Sequence, residues 1–203
     1  MSVPPFSTRR VLPLPDPISS VRTGPWRASF HRHPIFFAMS STTWDTILAD
    51  RTLRNLPYKI ETNRYNKIIM SPASNWHSDY QYEIAKQLEQ RLANGRVSVE
   101  FAIQTADGIR APDVIWISKV RRAPYGRTTS LPIAPEICIE ILSPSNHREE
   151  MLGKMTLYYA KGAQEVWLCD EHGNMEFFSA LSAPAPISAS LLCPDFPAQI
   201  VLD

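Results

Sequence analysis

Glu136-Ile137-Cys138-Ile139-Glu140-Ile141-Leu142-Ser143-Pro144-Ser145-Asn146 places β-branched isoleucines at every second position and an acid among them. The alternation predicts a strand over 136–142, with Ile137, Ile139 and Ile141 on one face and Glu136, Cys138, Glu140 and Leu142 on the other. Ser143-Pro144-Ser145 ends it: proline keeps the residue before it extended, and a hydroxyl suits the cap of a following helix. Glu140 is the anomaly, because an ionised carboxylate in an apolar segment needs a partner.

A second acid stands in a similar setting, in Ala111-Pro112-Asp113-Val114-Ile115-Trp116-Ile117, a predicted strand over 111–117. If the two strands are neighbours, Asp113 and Glu140 converge. Like charges in a partly desolvated place resist ionisation unless a cation neutralises them, and hard oxygen donors suit Mg²⁺ or Mn²⁺. The alternative is that Glu140 is tied to a lysine or to main-chain donors and does no chemistry. Lys154 lies on a predicted helix over 147–161, between Met151 and Tyr158 at the edge of the apolar stripe, within reach of the carboxylates or free to snorkel to solvent.

The flanking segments complete a mixed α/β pattern. A short helix over 44–53 precedes two strands, 58–61 and 67–70, joined by the turn Asn63-Arg64-Tyr65-Asn66. Ser74 or Asn75 caps a long helix over 76–93, where Tyr80, Ile84, Leu88 and Leu92 recur every four residues and Asn94-Gly95 supplies the stop. Val97, Val99, Phe101 and Ile103 alternate with more polar residues as one strand, and Ala106-Asp107-Gly108 turns the chain. A loop over 119–133, then strands 164–170 and 175–179 about the turn Glu171-His172-Gly173-Asn174, finish the order. The expected fold is α/β, a central mixed sheet flanked by helices.

Composition excludes several classes. The chain has 203 residues, 44% hydrophobic and 20% charged, with a formal net charge of +1, which fits one globular domain and neither a disordered nor a collagen-like chain. No apolar run approaches the ~18 residues of a membrane span. Cys138, Cys169 and Cys193 are odd in number and never in a CxxC spacing, so they read as small buried residues in a reducing cytoplasm. Residues 1–38 differ from the rest: seven prolines, five arginines and the single acid Asp16 leave this stretch no continuous helix and no apolar alternation. It is expected to be a disordered or non-native extension, with the domain over 39–203. Translation starting at Met39, a flexible tail and an organelle-targeting segment are its three readings.

Ala111-Pro112-Asp113-Val-Ile, Ile139-Glu140-Ile-Leu-Ser143-Pro144-Ser145-Asn146, Lys154 to Tyr158 and Gly162-Ala163-Gln-Glu165-Val-Trp167, in this order, resemble the Uma-two family of restriction-endonuclease-like proteins in the PD-(D/E)xK nuclease superfamily. The likeness covers about Trp44 to the end. It implies a restriction-endonuclease-like core in which Asp113 and Glu140 bind the metal, aided by the carbonyl of Ile141. The superfamily lysine two residues after the acid is Leu142 here, and the family pattern moves that role to Lys154. An additional acid is expected from Glu61, in the place of an early Tyr-Glu-Leu motif with Thr62 for leucine, or from Glu83, which borders the buried stripe of the long helix. His77 matches a histidine near that helix's start.

The implied function is Mg²⁺- or Mn²⁺-dependent hydrolysis of phosphodiester bonds in DNA, with Asp113, Glu140, Lys154 and Glu61 as catalytic candidates; the alternative is an inactive nuclease-fold binding or scaffold protein. Lys119, Arg121, Arg122 and Arg127, interleaved with Tyr125, form the concentrated basic stretch of the folded part and are candidate phosphate contacts, with His77. A plain solvated loop is the competing account. The expected partners are DNA, no membrane, and a second copy of the chain as a candidate homodimer.

Overall fold

The computed structural model describes residues 43–53, 56–72, 74–143 and 148–202. The expectations for residues 1–38, for Met39 and for the cap at Pro144-Ser145 lie outside these residues. In chain order the elements are α1 (Trp44–Ala49), β1 (Tyr58–Thr62), β2 (Ile68–Pro72), α2 (Asn75–Arg91), β3 (Gly95–Val99), β4 (Ile103–Thr105), β5 (Gly108–Arg110), β6 (Val114–Ser118), α3 (Lys119–Arg122), β7 (Ile137–Ile141), α4 (Arg148–Ala160), β8 (Glu165–Cys169) and β9 (Met175–Ser179), with a 3₁₀ turn at Ala123–Tyr125.

The isoleucine strand β7 is the middle of a five-stranded sheet ordered β3-β6-β7-β8-β9. Only the β7–β8 pair is parallel, and α4 supplies the crossover that parallel neighbours require. Every residue of β7 and β8 is buried, as in strands covered on both faces. On one face Tyr80, Ile84 and Leu88 of α2 pack with Ile137, Ile139, Ile141, Trp167 and Phe177. On the other, Met151, Met155 and Tyr158 of α4 pack with Cys138, Val166, Leu168 and Phe178. The expected sheet flanked by helices is therefore present, and the two faces of β7 divide as the alternation requires. All three cysteines are buried and unpaired.

Several boundaries differ, each for a local reason. The expected strand from Val97 to Ile103 breaks at Glu100, whose φ of 48° turns the chain away from β6 while its N–H donates to the carbonyl of Asp113. Ile103 then belongs to a separate hairpin, β4–β5, closed by Gly108 at a φ of 86° that a side chain would strain. Val99, expected on the apolar face, is half exposed. Helix α1 stops at Ala49 because the carboxylate of Asp50 captures the N–H and hydroxyl of Thr52. The expected loop over 119–133 opens with α3, capped by the Ser118 hydroxyl accepting from the N–H of Arg121. Gly95 is the first residue of β3 and not merely a helix stop: a β-carbon there would overlap the ring of Trp116 on β6.

Residues 180–202 run without helix or strand, and Cys193, Phe196 and Ile200 join the α2-side core. Glu165, 1% exposed, fastens this segment: one carboxylate oxygen accepts the N–H groups of Leu191 and Leu192, the other the Ser190 hydroxyl and the Trp167 indole. Replacing the acceptor-only carboxylate by an amide turns two accepted bonds into donor-to-donor contacts. Glu165→Gln is expected to cost about 3 kcal/mol in urea unfolding, the scale for disrupting buried charge-assisted bonds.

Candidate functional site

The pairing of β6 with β7 sets Val114 opposite Ile139, so Asp113 and Glu140 face each other one step beyond the paired stretch. Asp113 is 1% and Glu140 3% exposed. The Asp113 carboxylate accepts the Ile141 N–H through Oδ2 at 2.7 Å. Glu140 lies on the α4 face of β7, where Oε1 accepts from the Tyr158 hydroxyl and Oε2 lies 3.2 Å from Lys154 Nζ. Lys154 also reaches Oε2 of Glu61 at 3.6 Å. Glu61 comes from β1 and accepts the Ala111 N–H at 2.8 Å, with Arg110 of β5 at 3.8 Å. The geometry thus brings Asp113, Glu140, Lys154 and Glu61 together, and His77 of α2 joins them with Nε2 3.3 Å from Asp113 Oδ1.

Lys59 completes the cluster and was absent from the sequence expectations. Its ammonium lies 2.7 Å from Asp113 Oδ1 and 3.3 Å from Glu140 Oε2, bridging the two acids. The signal that finds it is periodicity. Lys59 and Glu61 are two apart in β1 and share a face, so placing Glu61 at the site places Lys59 there as well. Burial works against the charge on Lys59, but Glu140, Asp113 and Glu61 outweigh it and hold its pKa above the ordinary lysine value. Burial likewise opposes ionisation of Asp113, yet Lys59, His77 and the Ile141 N–H keep its carboxyl below the usual range. Burial, together with the charges of Glu140 and Glu61, pushes the Tyr158 hydroxyl up, so it stays protonated and donates.

Other candidates fall elsewhere. Glu83, half-buried, is held along α2 by Lys86 and Gln87. The basic stretch begins after the last residue of β6, whereas Asp113 precedes its first, a separation of roughly 20 Å along the strand. Arg121 donates to the carbonyls of Ala134 and Gly162, and the Arg122 guanidinium lies over the Phe101 ring. Lys119 and Arg127 are exposed.

Among the described residues, no three His, Cys, Asp or Glu side chains form a ready metal cage. The donor set is nevertheless of the kind Mg²⁺ uses, since that ion is held by one or two carboxylates and keeps several waters. A cation already stands between Asp113 and Glu140, the Lys59 ammonium, so the position suits positive charge. The two acids, with Ile141 beside them, line an open cleft of about 280 Å³. Tyr158→Phe would leave Glu140 Oε1 without its donor in a dry setting. It is expected to lower stability by about 2 kcal/mol in urea unfolding with little change in side-chain volume.

No curated protein matches the sequence. A solved structure described as a putative nuclease belonging to DUF820, from Anabaena variabilis, aligns with a TM-score of 0.51 and 23% identity over 63% of this chain and 74% of that one, which shows the shared fold. A family model described as "Uma2: Putative restriction endonuclease" matches residues 51–187, a span that contains Lys59, Glu61, Asp113, Glu140 and Lys154. The chain belongs to the Uma2 family.

Proposed function

We propose that the protein is a divalent-metal-dependent nuclease of the PD-(D/E)xK type that hydrolyses phosphodiester bonds in DNA, with Mg²⁺ or Mn²⁺ held by Asp113 and Glu140. The observation that carries this reading is the convergence of two buried carboxylates, from the adjoining ends of β6 and β7, on one cation position beside a solvent-open cleft. A divalent cation there supplies Lewis-acid polarisation of a phosphoryl oxygen and a more acidic water.

The chain's own residues do the rest. Ile141 and Tyr158 fix one oxygen of each acid, leaving the other oxygen of each to face a cation. Lys154, at the cleft wall, places an ammonium where negative charge develops on the phosphoryl oxygens. Glu61 steadies Lys154 from the far side. His77 orients Asp113 and stands at the cleft, where it can meet a phosphate. Lys119 and Arg127 are exposed and remain open to DNA contact, with the protein acting as monomer or homodimer in the cytoplasm. No helix among the described residues is long and apolar enough to cross a membrane.

A second reading, a nuclease-fold binding or scaffold protein without turnover, is favoured by the full neutralisation of Glu61, Asp113 and Glu140 by Lys59, Lys154 and Arg110. Cleavage assays with plasmid and linear DNA in Mg²⁺ or Mn²⁺ separate the two. Nuclease activity requires that Asp113→Asn and Glu140→Gln abolish cleavage, and that Lys154→Met lower it by about 10²- to 10³-fold, the scale for removing one preorganised charge donor. Lys59 still pairs with Glu140 in Lys154→Met, so that variant should lose less than the roughly 3–5 kcal/mol of a carboxylate left unpaired. Wild type that shows neither cleavage nor a metal-induced rise in melting temperature supports the scaffold reading.

A further inference from the structure

We propose that Lys59 is a built-in occupant of the cation position between Asp113 and Glu140, and that a divalent ion binds there only by exchange with its ammonium. The proposal rests on the metal reading above and adds what the chain itself does when no ion is bound.

Four carboxylate oxygens belong to the two acids. Asp113 Oδ2 is taken by the Ile141 N–H and Glu140 Oε1 by the Tyr158 hydroxyl. The remaining pair, Asp113 Oδ1 and Glu140 Oε2, are the two that Lys59 Nζ bridges at 2.7 and 3.3 Å, whereas His77 and Lys154 each reach one of them, at 3.3 and 3.2 Å. A magnesium-sized ion contacts its oxygens at about 2.0–2.1 Å, so an ion on the same two oxygens would sit against the ammonium. Both cations cannot share this pair in a site whose side chains are so far removed from water.

Charge leads to the same exchange. Glu61, Asp113, Glu140 and Asp107, which shares Arg110, are balanced by Lys59, Lys154, Arg110 and Arg64, so these eight side chains sum to zero. Adding a divalent ion without moving Lys59 leaves two uncompensated positive charges in a buried place. Replacement of the ammonium leaves one, which the single negative charge of a phosphodiester cancels. Lys59 has room to leave, because its four-carbon stem is flexible and the residue also borders an adjoining cleft of about 340 Å³ beside α1.

The test is direct titration of metal-free, DNA-free protein with Mn²⁺ by calorimetry, for wild type, Lys59→Met and Lys59→Gln. Exchange predicts that both variants bind Mn²⁺ at least about tenfold tighter than wild type, because the competing ammonium and its charge-assisted bonds are gone. It also predicts a larger Mn²⁺-induced rise in melting temperature for the variants than for wild type. Wild type that binds Mn²⁺ while folded variants bind it no tighter overturns the exchange and leaves the metal reading intact. Absence of Mn²⁺ binding in all three folded proteins overturns the metal reading and the exchange with it. Should the variants fail to fold in chelator, recovery on refolding with Mn²⁺ supports exchange, and failure to recover shows that Lys59 does something a divalent ion cannot replace, which overturns it.

Discussion

Three carboxylates removed from water must be given positive charge, and the placement of much of this fold answers that demand. Glu61 and Lys59 come from β1, Arg110 from β5, Asp113 from the approach to β6, Glu140 from β7 and Lys154 from α4. The hairpin β1–β2 lies outside the main sheet, yet it is held to the β4–β5 arm by the Thr62 hydroxyl accepting from the Ile109 N–H and by Arg110 donating to the Thr62 carbonyl. A buried ion cluster of this kind is weak evidence for net stability, since desolvation consumes much of the attraction. What it secures is relative position: displacing β1, β5, β7 or α4 would break at least one of these buried ion pairs.

The sheet explains why these charges meet at one point. The helices α2 and α4 cover opposite faces, and each sends polar side chains, His77 and Gln81 from α2 and Lys154 and Tyr158 from α4, to the region where β6 begins and β7 ends. The apolar contacts that fix the two helices, Ile84 and Leu88 on one side and Met151, Met155 and Tyr158 on the other, therefore also fix the donors around the acids. Tyr158 serves in both roles, its ring in the core and its hydroxyl on Glu140.

Asp113 and Glu140 were legible because each is an acid in an otherwise apolar strand, and strand alternation gives a strand's facing before its neighbours are known. Lys154 was a candidate from its place at the edge of its helix's apolar stripe, with its catalytic role implied by the family resemblance, and Glu61 through that resemblance alone; both share the site by geometry. Lys59 was not legible in the same way: Tyr58-Lys59-Ile60-Glu61 reads as an ordinary half-exposed edge strand, and only tertiary packing of the hairpin against β5 turns its polar face inward. The break at Glu100 was hidden for a related reason, since the residues on both sides of the bend keep a period of two while the main chain changes sheets. The basic stretch showed its charge in sequence but not its engagements, because the carbonyls of Ala134 and Gly162 that Arg121 satisfies are distant in the chain.

The contact between Gly95 and Trp116 bears on how this sequence is free to drift. The indole lies where any side chain at position 95 would have to stand, and the same indole packs at the edge of the α2-side core, toward the end of β6 away from Asp113. Neither residue can therefore change independently. A larger residue at 95 is admissible only with a smaller one at 116, and shrinking 116 alone opens a void beside β3. Across relatives that keep this pairing of β3 with β6, the two positions should covary as a glycine-and-large or larger-and-small couple, a pattern that aligned sequences would reveal without any measurement on the protein itself.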